Sequence, residues 1–144
     1  MSETPFIEAI GQAIIAASLG QDTDRTADWF VSYAFMDDSP DRMIGIFDAP
    51  GRPPEETFRL DYPDIQIRVR GKANDYQAAA AQARAIFGLL HGGETAVNTY
   101  TSPPSAAVVF LYAKNSAPLS LGVDEKRRPH VCYNFRSAKG RAIA

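Results

Sequence analysis

Apolar and polar residues alternate with a period of two through Ile65-Gln66-Ile67-Arg68-Val69-Arg70, which predicts a half-buried strand after an Asp61-Tyr62-Pro63-Asp64 turn. Gly71-Lys72-Ala73 breaks that period. The spacing then becomes helical, with Tyr76, Ala79, Ala80, Ala83, Phe87 and Leu90 on one stripe. Asn74-Asp75-Tyr76-Gln77 offers an Asx cap with Gln three residues on, a capping box, and Gly92-Gly93 is the expected stop. The alanines on the stripe permit close approach to a sheet or another helix.

Earlier in the chain, Thr4-Pro5 predicts an N-cap followed by proline at the first helical position. The helix should run to about Leu19, with Phe6, Ile7, Ile10, Ile14, Ala17 and Ser18 recurring at helical spacing. Glu8, Gly11 and Gln12 mark its other side, and Gly20 its end. A polar, charged stretch at 21–28 reads as a loop. Residues 29–35 are dense in strand formers, and Met43-Ile44-Gly45-Ile46-Phe47 is a second short strand across a polar turn cluster at 36–41. So tight a connection suggests antiparallel pairing. Residues 52–58, with Pro53-Pro54, Glu55 and Glu56, read as an extended surface loop.

After the second helix, residues 94–105 are rich in Thr, Ser and Pro and have no pattern with which to bury themselves. Residues 106–112 read as a strand apolar on both faces, hence central. An irregular link at 118–122 and a charged hairpin turn, Glu125-Lys126-Arg127-Arg128-Pro129, precede a last alternating strand, 130–136. Residues 137–144 are small and basic, expected as a loose tail. The order predicts an α+β fold, a mainly antiparallel sheet with two main helices packed on one face.

The 144 residues suffice for one domain with a real core and are short for two. A net charge of -2 argues against a domain devoted to gripping nucleic acid, though not against a local basic patch. One cysteine, Cys132, excludes disulfide scaffolds and fits a chain folding in a reducing cytoplasm. No stretch approaches the roughly 20 apolar residues needed to span a bilayer. The opening Met1-Ser2-Glu3-Thr4-Pro5 leads into no signal-type run, so no cleaved signal is expected.

Catalytic chemistry has little to stand on. Of the two histidines, His91 ends a helix, where the ring commonly offsets the C-terminal dipole, and His130 starts a strand with no partner spacing to His91 or Cys132. Cys132 reads as a small buried hydrophobe on the face opposite Val131 and Tyr133. Asp37, Asp38 and Asp41 lack the glycine and bidentate glutamate of a calcium loop and read as a turn. No cofactor is called for. The charged feature with geometry is Gln66, Arg68 and Arg70 sharing one face: either the solvated side of a half-covered sheet or a contact surface.

The phrases Asp38-Ser39-Pro40-Asp41, Met43-Ile44-Gly45-Ile46-Phe47-Asp48, Gly51 with Pro53-Pro54, and the run from Tyr62-Pro63-Asp64 through Val69-Arg70-Gly71 resemble the minor capsid proteins of tailed phages related to tail terminator and tail completion proteins. Asp75-Tyr76, Ala83, Leu90-His91-Gly92 and Tyr133-Asn134-Phe135-Arg136 are similar too, so the likeness spans residues 38–136. The strand at 29–35 and the loop at 95–105 match no part of that pattern. The resemblance implies a small α+β virion part, not an enzyme. Such parts form a ring, usually of six copies, at the head-proximal end of the tail. Partners would be copies of itself, the tail-tube protein and the head connector; DNA would be passing cargo, and no membrane is involved. On that reading Gln66, Arg68 and Arg70 line a subunit contact or the channel, and Arg52, Glu55, Glu56 and the 94–105 loop reach adjoining rings. The alternative is a free-standing binding module for nucleic acid or a small ligand, using Tyr62, Lys72 and Lys126-Arg127-Arg128.

Overall fold

A computed structural model describes residues 4–57, 59–92, 97–98, 100–101 and 107–141. Among them lie two helices, α1 (Phe6–Ala16) and α2 (Tyr76–Leu90), and six strands: β1 (Phe30–Tyr33), β2 (Met43–Glu55), β3 (Leu60–Arg70), β4 (Val108–Ala113), β5 (Leu119–Val123) and β6 (Pro129–Gly140). They form one mixed sheet in the order β1-β2-β3-β6-β4, with β5 also on β6. This is the expected α+β class. Helix α1 lies over β1 and β2, and α2 over β3, β6 and β4.

Half-burial explains the strands. Ile44 and Ile46, Ile65, Ile67 and Val69, and Val131, Tyr133 and Phe135 all point into one core with Ala9, Ile10, Ile14, Ala79, Ala83, Ile86 and Leu90 of the helices. Burying each large aliphatic side chain contributes roughly 1.5–3 kcal/mol. The α2 stripe follows the spacing except at its start. Tyr76 is exposed and Ile86 buried instead.

Helix boundaries shift for local reasons. Pro5 is the N-cap of α1, one residue later than expected, and no side chain caps it. The helix closes early: Leu19 N–H donates to Ile14 O and Ser18 N–H to Ile15 O, with Ser18 left-handed at φ 62°. That is a Schellman ending, in which Ser18 takes the place commonly held by glycine. At α2 the cap is Asp75, whose side chain accepts from Ala78 N–H at 3.2 Å, while Asn74 is left-handed and receives Arg127 Nε.

Several strand expectations are corrected. β1 is shorter than 29–35 because Trp29 and Ala34, flanking it, are both left-handed. It pairs with β2 in parallel, not antiparallel. The connection at 34–42 is a crossover, and it runs over the sheet face opposite the helices. Met36 fills the space a Cβ on Gly45 would need, 2.7 Å away. β2 continues through the expected 52–58 loop to Glu55, and β3 starts at Leu60, so the expected 61–64 turn is paired strand. Prolines are accommodated because register shifts fall between Ala49 and Arg52 and between Arg52 and Glu55, where a bulge frees the missing donor.

β4 is an edge strand, not a central one. It pairs with β6, and a register shift between Val108 and Phe110 brings both Val108 and Leu111 inward while Val109 and Tyr112 face outward. Its outer edge is capped by Gly92 N–H on Leu111 O and by His91 Nδ1 accepting from Ala113 N–H. The expected link at 118–122 is strand β5, and the expected tail is partly strand: residues 137–140 belong to β6, with Ser137 and Ala138 buried. Within the expected 94–105 loop, Val97 is fully buried and Asn98 bonds both the N–H and the carbonyl of Val108. Tyr100 N–H donates to Val97 O and Thr101 N–H to Asn98 O, while residues 94–96, 99 and 102–105 of that loop, Ala106, the Gly93 stop, Phe58 and residues 142–144 lie outside the described residues.

Candidate functional site: the face and edges without helices

The helix-free face is partly roofed by the 34–42 crossover, and two arginines hold that roof. Arg70, expected on an open face, is only 3% exposed. Its guanidinium donates to the carbonyls of Asp41 at 2.8 Å and of Asp37 and Pro40 at 2.7 Å each. Arg128 is equally buried, and donates to Asp124 at 2.8 Å, Asp38 at 3.0 Å and Asp41 at 3.2 Å. Lys126 also pairs with Asp38. The acidic turn at 37–41 is thus spent on internal cations, and so is most of the basic run considered as a ligand surface.

Asp124 anchors the turn between β5 and β6. Burial works against its charge, but N–H groups of Arg128 and Lys126, the Arg128 guanidinium and His130 outweigh it, leaving the carboxyl well below its usual range. His130, 3.3 Å from that carboxylate, is nonetheless pushed down in pKa, chiefly by burial. Cys132 is fully buried, and burial pushes its thiol up, as expected for a packing residue. His91 stacks on Phe87 with ring centroids 4.9 Å apart and holds the β4 edge, a role different from offsetting a dipole. Among the described residues no group of three or more His, Cys, Asp or Glu is arranged to hold a metal ion, and no helix is long and apolar enough to cross a membrane.

Beyond the roof, the face is open and cationic. Arg68 donates to Gln66 at 3.0 Å and lies over the Phe47 ring at 5.1 Å; Gln66 in turn donates to Asn134 at 3.1 Å. No carboxylate pairs with Arg68 among the described residues. Arg52 stacks on Tyr62 at 4.2 Å, and both line a cleft with Asp64, Phe110, Lys114 and Arg136. That cleft encloses about 180 Å³, smaller than the roughly 300–1,000 Å³ of small-molecule sites. Glu55 accepts Thr57 N–H at 2.8 Å, and Glu56 pairs with Arg141 at 3.4 Å, so the site residues expected at 52–56 sit on β2 and the turn after it.

Sequence reasoning missed the apolar edge. On β5, Leu119, Leu121 and Val123 are 51%, 43% and 64% exposed, and Leu121 and Val123 flank a cleft with Arg68 and His130. The signal was present as a period-two run, Leu119-Ser120-Leu121-Gly122-Val123, hidden by the glycine and by its nearness to Pro118. At the opposite sheet edge, Phe35 is 52% exposed above a groove formed with Phe30, Tyr33, Asp22 and Arg25.

A one-sided sheet with apolar side chains on both outer edges and cations across its helix-free face defines a small α+β protein that presents surfaces. The chain belongs to the bacteriophage tail terminator protein family, which matches residues 13–138, and is a structural protein of phage-type tails. Among solved structures, a chain in the virion of a native gene transfer agent particle has a similar fold, with a TM-score of 0.63 at 18% identity over 92% of each chain. No curated protein matches the sequence.

Proposed function

We propose that this protein acts as a tail terminator: copies form a closed ring, six in the family pattern, at the head-proximal end of the tail tube and join it to the head connector. The observation that carries the reading is the family match across residues 13–138. A ring needs no catalytic step, only head-to-tail contacts whose rotation closes. In this reading the chain is a structural part without enzymatic activity, assembled in the bacterial cytoplasm, and DNA passes it as cargo. Arg68 and Arg52 are the cations of the original candidate set available to a neighbour. Arg70 serves the fold. The binding-module alternative loses its basic run to Asp38, Asp41 and Asp124.

The test is mass in solution by light scattering coupled to size exclusion across a concentration series, followed by addition of tail-tube protein. The expected result is a shift from monomer to one closed ring, or co-migration with tubes. A monomer that ignores tubes at every concentration refutes the assignment.

A further inference from the structure

The two apolar edges belong to opposite ends of one sheet, since β1 closes it on one side and β5 lies on the far side of β6. Following the pairings, β1 is parallel to β2, and β3, β6 and β5 then alternate in direction, so β5 runs antiparallel to β1. A second copy placed alongside therefore brings its β1 antiparallel to this β5. The β5 ridge stands on the helix-free face, because Leu119 is in register with Cys132, which alternates with the core-facing Val131 and Tyr133, and, across a register shift, Leu121 and Val123 line a cleft with Arg68 and His130. The groove beside β1 is concave and encloses about 290 Å³.

Charge distinguishes the two edges. Beside the ridge stands Arg68, with no carboxylate partner among the described residues; Asp124 nearby is committed to Arg128 and His130. Beside the groove stands Asp22, with no cation partner among the described residues, and Arg25 there is committed to Asp37 at 2.7 Å. Tyr33 lines the groove with its hydroxyl buried against Gly11 of α1, and it registers this field: its pKa is pushed up to about 12, first by burial and then by Asp22 and Glu8. An apolar ridge with a cation thus faces, at the other edge, an apolar groove with anions.

We propose that the occupant of the groove is a second copy of this chain: Leu119, Leu121 and Val123 of one subunit seat against Phe30, Tyr33 and Phe35 of the next, with Arg68 opposite Asp22. This contact is heterologous, the kind that generates a ring when its rotation closes. It rests on the tail-terminator reading and names the subunit interface within it. The backbone edge of β1 is already taken in part by Gln21, which bonds Trp29 O and Val31 N–H, so side chains carry the contact.

The test uses a ridge variant, Leu121→Asp with Val123→Asp, and a groove variant, Phe35→Asp, each checked for an unchanged melt. Assembly is read by light scattering in solution and by crosslinking on tail tubes. Each variant alone should lose assembly beyond the monomer. Mixed in equal amounts they should give a heterodimer and nothing larger, because one intact ridge then meets one intact groove. Unimpaired assembly of either variant, or a mixture that stays monomeric, overturns the interface. Failure of the two readings is separable: wild-type protein that assembles on tubes regardless of these substitutions sinks the interface alone. Wild-type protein that neither assembles nor meets tubes sinks the terminator reading, and the interface with it.

Discussion

Arg70 and Arg128 look in sequence like surface cations, yet each is an internal clamp, and their removal should behave accordingly. Arg70→Met strips the donors from three carbonyls of the crossover. The expected cost is roughly 3 kcal/mol, a lower urea midpoint at unchanged slope. Arg68→Glu, one alternation away on the same face, should leave that midpoint within about 0.5 kcal/mol. Asp124→Asn tests the other clamp. The amide retains an acceptor for the Lys126 and Arg128 N–H groups but sets a donor against the Arg128 guanidinium. Because the folded carboxyl titrates below its ordinary 3.8, its stabilisation is present above that pH and is lost as pH falls. Wild type should therefore exceed Asp124→Asn in stability at pH 7, with the gap closing below about pH 4. A gap independent of pH in denaturation series would show that charge is not the cause.

Elements differ in how much of their placement is written locally. The second half of β3, α2 and the first half of β6 were legible because half-burial imposes a period of two and capping a short polar signature, and both act within a few residues. The parallel pairing of β1 with β2 was not, since it depends on Arg70 holding a crossover whose Asp37 lies 33 positions away. β2 was cut short because Pro53 and Pro54 read as loop, although a register shift between Arg52 and Glu55 places them where no donor is required. Of the candidate site, Gln66 and Arg68 were legible on the uncovered face. Arg70 was misplaced because alternation assigns a face, whereas burial depends on what crosses it. The contact of α1 with β1 shows the same dependence. Gly11 seemed to mark the outer side of α1 but lies under Tyr33, whose hydroxyl would sit 2.1 Å from an added Cβ. Gly11→Ala should displace Tyr33 and cost roughly 1–3 kcal/mol as overpacking, despite alanine's better helix propensity. Ile10→Asp, at a fully buried position, should unfold the domain or detach α1. A thermal melt unchanged by either substitution would contradict this packing.

At the scale of the whole molecule, the proposed ring asks two opposite edges of one sheet to recognise each other without clumping. Exposed apolar edge strands are ordinarily an aggregation hazard, and the chain limits it unevenly. β4 is capped by His91 and Gly92, and β1 is partly covered by Gln21, whereas β5 keeps its apolar residues exposed. Order in such an assembly comes from charge as well as from apolar fit, because a wrong edge-to-edge approach brings like charges together. Arg68 and Asp22 then serve register more than affinity, being exposed enough for salt to weaken them. Raising ionic strength from low to about 0.5 M should loosen assembly only modestly, since the Debye length falls to a few ångströms while the apolar contact persists. Arg68→Glu or Asp22→Lys alone should weaken subunit association by up to about fivefold. The doubly exchanged chain should regain wild-type association, because each reversed charge again faces its opposite. Sedimentation velocity on the four proteins at matched concentration measures this. Two single variants that weaken association without recovery in the double exchange would place these residues outside a shared contact and leave the apolar ridge and groove to set the register alone.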